Sequence, residues 1–291
     1  YVENLDFDFA YGIADKYRYR CNYFHQRTGY GAVFRIIPTK ILTLEQLKLP
    51  PALGDLTRLR AGLVLVTGPT GSGKSTTLAA MIDQMNEMQE RHILTIEDPV
   101  EFVHRNKKSI ISHREVGTHT KSFANALRAV TRQDADVVLV GEMRDLETIA
   151  LALSAAAMGT LVYGTLHTNS APKTIDRIID AFPTDQQPQV RTLLAESLKG
   201  VVAQQLLRRK DGKGRVAVNE ILLGNRAVSS VIREGKIESL MSILQSGRKE
   251  GMIMMDDALD DLVKKNIIEG RDAYMKANEK RRFVHYVEGE E

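Results

Sequence analysis

Gly68-Pro-Thr-Gly-Ser-Gly-Lys-Ser-Thr76 fits the pattern G-x-x-x-x-G-K-[ST] without a mismatch. An apolar run, Leu63-Val-Leu-Val66, precedes it, and Thr77-Leu-Ala-Ala-Met-Ile-Asp-Gln-Met85 follows with helical spacing. That is the strand–loop–helix setting the pattern requires. Glycines at 68, 71 and 73 permit backbone conformations that a side chain would forbid, so successive N–H groups can turn inward as an anion cradle. A helix starting near Lys74 adds its positive N-terminal end. The spacing carries Lys74 to the β/γ-phosphates of a nucleotide and the Ser75 hydroxyl to Mg²⁺. Gly68, Pro69, Thr70, Gly71, Ser72, Gly73, Lys74, Ser75 and Thr76 are together the candidate binding set for a nucleoside triphosphate, read as ATP.

Working outward, 291 residues are enough for one large domain and a smaller piece. A hydrophobic content of 43% is ordinary for a globular chain. Forty Lys and Arg against 37 Asp and Glu leave a net charge of +3, so no strong field for a polyanion is implied and no nucleic-acid partner is expected. The one dense basic tract, Lys280-Arg-Arg282, reads as a solvated tail. Cys21 is the only cysteine, which excludes an internal disulfide and a four-cysteine zinc site and fits a reducing cytosol. No signal peptide opens the sequence, and Tyr1 falls within a strand-like pattern, as expected if the first domain starts upstream. The uncharged stretch 148–166 has nearly the length of a membrane span. Its alanine-rich first part, the break at Gly159 and the run Leu161-Val-Tyr-Gly-Thr-Leu166 read instead as a helix and a buried strand.

Two patterns divide the chain. Residues 1–40 alternate with period two in Asp6-Phe-Asp-Phe-Ala10, Tyr17-Arg-Tyr-Arg-Cys-Asn-Tyr23 and Gly31-Ala-Val-Phe-Arg-Ile-Ile37, with Gly29-Tyr-Gly31 as a turn. This predicts a small antiparallel sheet. Pro38 precedes a linker over 41–61, which Pro50 and Pro51 punctuate. From 62 to 225 strands expected at 63–67, 92–96, 109–112, 136–140, 161–165 and 215–223 alternate with helices at 75–89, 122–132, 147–158 and 171–179. Such alternation predicts an α/β domain with a mostly parallel sheet flanked by helices. From 226 to 291 the patterns are helical, broken at Gly235, Gly247, Gly251 and Gly270.

Transfer of a phosphoryl group to water needs a metal, a group that orients the water and cations against developing charge. Asp136-Val-Val-Leu-Val-Gly-Glu142 is an apolar strand ending in an acid, placing Glu142 to polarise the water or to hold Mg²⁺ through water. Ser75 and Glu142 are thus the candidate metal residues. Ile93-Leu-Thr-Ile-Glu-Asp-Pro-Val-Glu101 ends in Glu97, Asp98 and Glu101, which repel one another unless neutralised. His167 stands just beyond a buried strand, placed to sense the γ-phosphate or to relay polarity to the next helix. Among the arginines, Arg20 and Arg35 with Arg18 lie on the N-terminal strands as candidate fingers, and Arg128, Arg132 and Arg144 are alternatives nearer the core motifs.

These elements in this order resemble the type IV pilus retraction ATPase (PilT) family within the type II/IV secretion ATPase superfamily. The resemblance covers essentially the whole chain. It rests on the Walker A loop at 68–76, the Asp box Thr95-Ile-Glu-Asp-Pro-Val-Glu-Phe102 and Arg114-Glu-Val-Gly117. Walker B in Arg132-Gln-Asp-Ala-Asp-Val-Val-Leu-Val-Gly-Glu-Met-Arg-Asp145, the His box Gly164-Thr-Leu-His-Thr168 and Thr174-Ile-Asp-Arg-Ile-Ile-Asp180 complete it. It implies a RecA-like P-loop ATPase core over 62–225, preceded by the later part of a small α+β PAS-like domain over 1–40 and followed by a helical C-terminal region. It further implies a cytoplasmic homohexamer at the inner membrane, touching the membrane only through the pilus machine. Partners would be the platform protein of the pilus and a companion retraction ATPase. ATP would bind between the two domains, with Arg20 and Arg35 reaching it, and hydrolysis would return pilin to the membrane. The missing tetracysteine motif separates the chain from extension and type II secretion ATPases. Ala227-Val-Ser-Ser-Val-Ile-Arg-Glu-Gly-Lys236 resembles a retraction motif at Ile232-Arg-Glu234, though Ser229 and Ser230 replace an Arg-Asn pair. A second departure is Thr160, where relatives commonly carry a histidine; Thr160 either substitutes as a hydrogen-bond donor or coupling differs here. A pilus-extension or secretion ATPase, a RecA-like nucleic-acid motor and a non-hydrolysing nucleotide module are the competing readings.

Overall fold

The computed structural model describes residues 5–13, 17–37 and 40–287. The expected break at Pro38 and the opening residue Tyr1 lie outside them. Two sheets form. Strands β1 (Asp6–Ile13), β2 (Tyr17–Gln26) and β3 (Gly29–Ile37) make an antiparallel three-stranded sheet in that order. Its second hairpin turns at Arg27 and Thr28 rather than over 29–31, and Gly29, at φ 125°, already belongs to β3.

The second sheet has seven strands: β4 (Gly62–Thr67), β5 (His92–Glu97), β6 (Ile110–Glu115), β7 (Val137–Val140), β8 (Leu161–Leu166), β9 (Leu198–Arg208) and β10 (Arg215–Leu223). Their order is β10-β9-β4-β8-β7-β5-β6, parallel throughout except for the antiparallel hairpin of β9 with β10. The mostly parallel α/β fold expected from the alternation is therefore present. Sequence reading marks no strand at β9 and no helix at α6 (Gln187–Ser197), because the helix runs straight into the strand with neither Gly nor Pro between them.

Alternation on the buried strands feeds two cores. Leu63 and Leu65 point to one, with α3 (Phe123–Leu127), α4 (Leu146–Ala157), α5 (Ala171–Asp180) and α6 above them. Val64 and Val66 point to the other, under α1 (Pro51–Leu56) and α2 (Lys74–Met88). The stretch read as a linker thus supplies Ala52, Leu53 and Leu56 to the core. The helix expected over 122–132 is cut short: α3 ends at Leu127, and a 3₁₀ turn takes Val130–Arg132.

Beyond β10 come α7 (Arg226–Glu234), α8 (Leu240–Ser246), α9 (Met255–Lys264) and α10 (Gly270–Lys276). In α7 only Val228 and Ile232 are buried, and Ser229 Oγ donates to the Ala195 carbonyl at 2.6 Å, so one of the two departing serines anchors this helix to α6. The tract Lys280–Arg282 is not a free tail. It opens a 3₁₀ turn that buries Phe283, and Arg282 pairs with Asp257 at 2.7 Å. Lys280 donates to the carbonyls of Tyr274 and Met275. Glu220, fully buried on β10, accepts the N–H of Ala171 at 2.8 Å and that of Met255 at 3.4 Å. Among the described residues no helix is long and apolar enough to cross a membrane.

Candidate functional site: the carboxyl edge of the parallel sheet

β4 and β5 follow one another in sequence but stand apart in the sheet, with β8 and β7 between them. Parallel strands end on the same edge, and a crevice opens there where strand order reverses. This brings together the loop after β4, the acids after β5, Glu142 after β7 and His167 after β8. They line a cavity of about 330 Å³ that includes Lys74, Ser75, Glu97, Asp98, Glu101, Glu142 and His167.

The 68–76 loop is built as its pattern demands. A Cβ on Gly68 would lie 2.2 Å from the Gln204 carbonyl oxygen, so only glycine fits there. Gly73 caps α2 in the left-handed region, at φ 87°. Lys74 Nζ is folded onto the loop, donating to the carbonyls of Gly68 at 2.8 Å and Pro69 at 3.1 Å. Burial lowers its pKa, against the pull of Glu142 and Glu101. Thr70, Gly71, Gly73 and Thr76 face an adjoining cavity of about 560 Å³. Ser72 is buried, and its Oγ has no hydrogen-bond partner within the protein.

Glu142 is held on both sides. Gly141 N–H donates to the Ile96 carbonyl at 2.8 Å, Met143 N–H to the Thr165 carbonyl at 3.0 Å, and Thr165 Oγ1 to the Gly141 carbonyl at 2.5 Å. Its Oε1 lies 2.5 Å from Arg144 Nε and 2.9 Å from His167 Nε2. The hydrogen bond from Arg144, more than that from His167, holds the carboxyl below its usual range, against burial. An ionised carboxylate only accepts, so Nε2 of His167 carries the proton.

Hydrogen bonds order the Asp box. Glu97 Oε2 accepts the Glu101 N–H at 3.3 Å, and Glu115 Oε2 accepts that of Val100 at 3.0 Å. Burial pushes the Glu97 carboxyl up to about 7, outweighing its hydrogen bonds. The nearby Glu101 adds to that rise.

Arg20 lines the catalytic-side cavity, and Arg35 joins it in the adjoining one. The two are directly opposed in the β2–β3 register. Like charges so placed cost stability in a sheet, a cost offset where an anion lies before them. Arg18, on the same face of β2, reaches Glu115 at 3.7 Å. Of the alternatives, Arg144 lines the cavity, Arg128 is engaged with Glu147 on α4, and Arg132 closes the 3₁₀ turn. Thr160 precedes β8, at the strand end opposite His167. Strand rise puts about 20 Å between those ends, so Thr160 is no substitute partner for this site.

The family described as type II/IV secretion system protein matches residues 9–278. The chain belongs to this ATPase family, in its PilT branch. A twitching motility protein of Neisseria gonorrhoeae is 53% identical over 277 residues, covering 95% of this chain and 74% of that one. The type IV pilus retraction ATPase PilT of Pseudomonas aeruginosa is 50% identical over 277 residues, covering 95% and 80%. The crystal structure of the pilus retraction motor PilT with bound ADP superposes with a TM-score of 0.91 at 46% identity, covering 98% of this chain and 81% of that one. Membership of the PilT branch makes the chain a nucleotide-binding ATPase. Two residues that shape this PilT-type site escape a reading by motif: Glu115 and Gln204. Glu115 falls inside the Arg114–Gly117 match, but nothing in its spacing marks it as the holder of the Asp box.

Proposed function

We infer that the chain is an ATP-hydrolysing motor for type IV pilus retraction. The observation that carries this reading is the gathering of Lys74, Glu142, His167 and the Asp box into one cavity, in a chain that shares half its residues with a retraction ATPase. The donor set fits a nucleotide: a loop of inward N–H groups, a helix N-terminus, one ammonium and one hydroxyl. Lys74, released from the loop carbonyls, holds the terminal phosphates. Glu142, ionised and oriented by Arg144 and His167, aligns the attacking water and takes up its proton. Arg20 and Arg35 face the phosphates from the N-terminal sheet and offset charge developing on them. Ser75 directly, with Glu142 beyond it, would hold Mg²⁺, which when bound neutralises phosphate charge. His167 shares an oxygen of Glu142, so a change at the phosphate reaches α5 through the segment that follows it.

The wider setting is a homohexamer at the cytoplasmic face of the inner membrane, acting on the pilus platform protein beside a companion retraction ATPase. Residues 1–40 belong to a PAS-like domain, and 62–225 to the ATPase core. The deciding experiment compares surface pili on cells lacking this gene, complemented with wild type or with Lys74→Ala. Excess pili and lost twitching in the deletion and the variant are the expected result, with phosphate release by the purified variant at background. Bald cells would make the chain an extension motor.

A further inference from the structure

We propose that Gln204 is a positioning residue for nucleotide binding, setting the shape of the 68–76 loop from the antiparallel hairpin β9–β10. The proposal rests on the ATPase reading of that loop. Gln204 is 2% exposed and lies mid-strand, where a buried amide must find partners for its donors and its acceptor. Its Nε2 donates to the Ser72 carbonyl at 2.7 Å. Its Oε1 accepts from Thr77 Oγ1 at 2.8 Å and from Asn219 Nδ2 at 3.0 Å. Ser72 and Thr77 stand on either side of Gly73, the residue that caps α2. One planar group therefore fixes where the loop ends and where the helix begins.

That span carries Lys74 and Ser75, so the angle at which the chain enters α2 decides where the ammonium and the hydroxyl sit. Packing adds a second restraint from the same residue. Its carbonyl oxygen would lie 2.2 Å from a Cβ on Gly68, and its Nε2 3.0 Å from one on Gly73. The loop is thus pressed on Gln204 at both ends. Ser72 Oγ, partnerless, contributes no hydrogen bond to this arrangement. Asn219, 3% exposed on β10, donates to that acceptor, which ties the amide orientation to the hairpin register. Gln204 does not touch the cavity that receives the phosphates. Its effect passes through the backbone of the loop.

Gln204→Glu keeps size and the acceptor for Thr77 and Asn219, but sets a carboxylate against the Ser72 carbonyl. Leaving that buried carbonyl without its donor raises KM for ATP by about tenfold at pH 8. Burial raises the pKa of the introduced carboxyl. As pH falls toward 6 it gains a proton, donates to Ser72 again, and the KM defect shrinks while wild type shows no such trend. kcat at saturation stays within about threefold of wild type, since neither Glu142 nor the arginines move. Fluorescent-ADP binding over the same pH range gives a second reading of the loop, and the melting midpoint without nucleotide checks folding. KM and ADP affinity equal to wild type at pH 8 would overturn the proposal. So would a pH-independent loss of both kcat and melting midpoint, since that is the mark of a residue that only fills the core. Wild type without hydrolysis would instead strike at the ATPase reading.

Discussion

The two sheets of this chain bury their residues in opposite ways. Every residue of β4 and β8 is buried, and apolar side chains on them each contribute about 1.5–3 kcal/mol. Among the strand residues of the three-stranded sheet only Cys21 and Ile37 are buried, while Tyr30, Val33, Phe34 and Ile36 stand exposed. What packing that sheet has is partly aromatic, with Phe9 and Tyr23 edge to face at 5.0 Å, contacts of about 0.5–1.5 kcal/mol each. Yet both sheets deliver charge to one cavity: Glu142 and His167 from the thick sheet, Arg20 from the thin one. The thick sheet thus supplies a packed core together with chemistry, whereas the thin one supplies the charge of Arg20.

The comparison breaks if chemistry does not concentrate at the thick sheet. Glu142→Gln removes the carboxylate shared by Arg144 and His167, and hydrolysis should fall by about a hundredfold or more with ADP affinity retained. Single-turnover phosphate release beside ADP titration checks it; unchanged turnover would take Glu142 out of the mechanism. A smaller effect sharpens the other half. Arg20→Ala should lower kcat by about tenfold and also relieve the repulsion with Arg35, leaving the melting midpoint unchanged or slightly raised. A fall in the midpoint with kcat intact would make Arg20 part of the thin sheet's framework.

The smallest effect is in pH. The folded Glu97 carboxyl sits near 7 against an ordinary 4.5, so the folded state holds a proton that the unfolded chain has released between those values. Stability from this group is full below about 4.5 and is lost as pH rises through about 7. His113 has the opposite sign: burial, with the nearby His104, lowers it to about 4 from 6.5, so its part of stability is lost as pH falls through that window. Melting midpoints of nucleotide-free protein should therefore drop from pH 6 to 8 in wild type and drop less in Glu97→Gln. Parallel curves would show that Glu97 titrates normally.

The parallel sheet and most of its site were legible in the sequence because strand, glycine loop and helix are local signals. Leu63-Val-Leu-Val66 before Gly68 needs no distant information, and an apolar strand ending in Glu142 announces a carboxylate at the sheet's edge. What was not legible depends on contacts between distant positions. Gln204 and Gln205 interrupt an apolar run, so β9 looks like no strand; the polarity is resolved only when the 68–76 loop folds onto Gln204. Lys280–Arg282 reads as solvated because its carboxylate partners lie more than twenty residues back, on α9. The location of Thr160 opposite the site follows from strand direction alone, which a motif match does not encode.

Glu220 gives the fold the character of a pinned joint. The two oxygens of its one carboxylate fasten the start of α5, just past His167, and the start of α9 in the C-terminal region. At a position shut off from water, neither N–H can find a substitute acceptor, so neither helix can slide without taking the pin along or breaking it. The start of α5, three residues beyond the His167 segment's Thr168, and the start of α9 are thereby linked through one side chain.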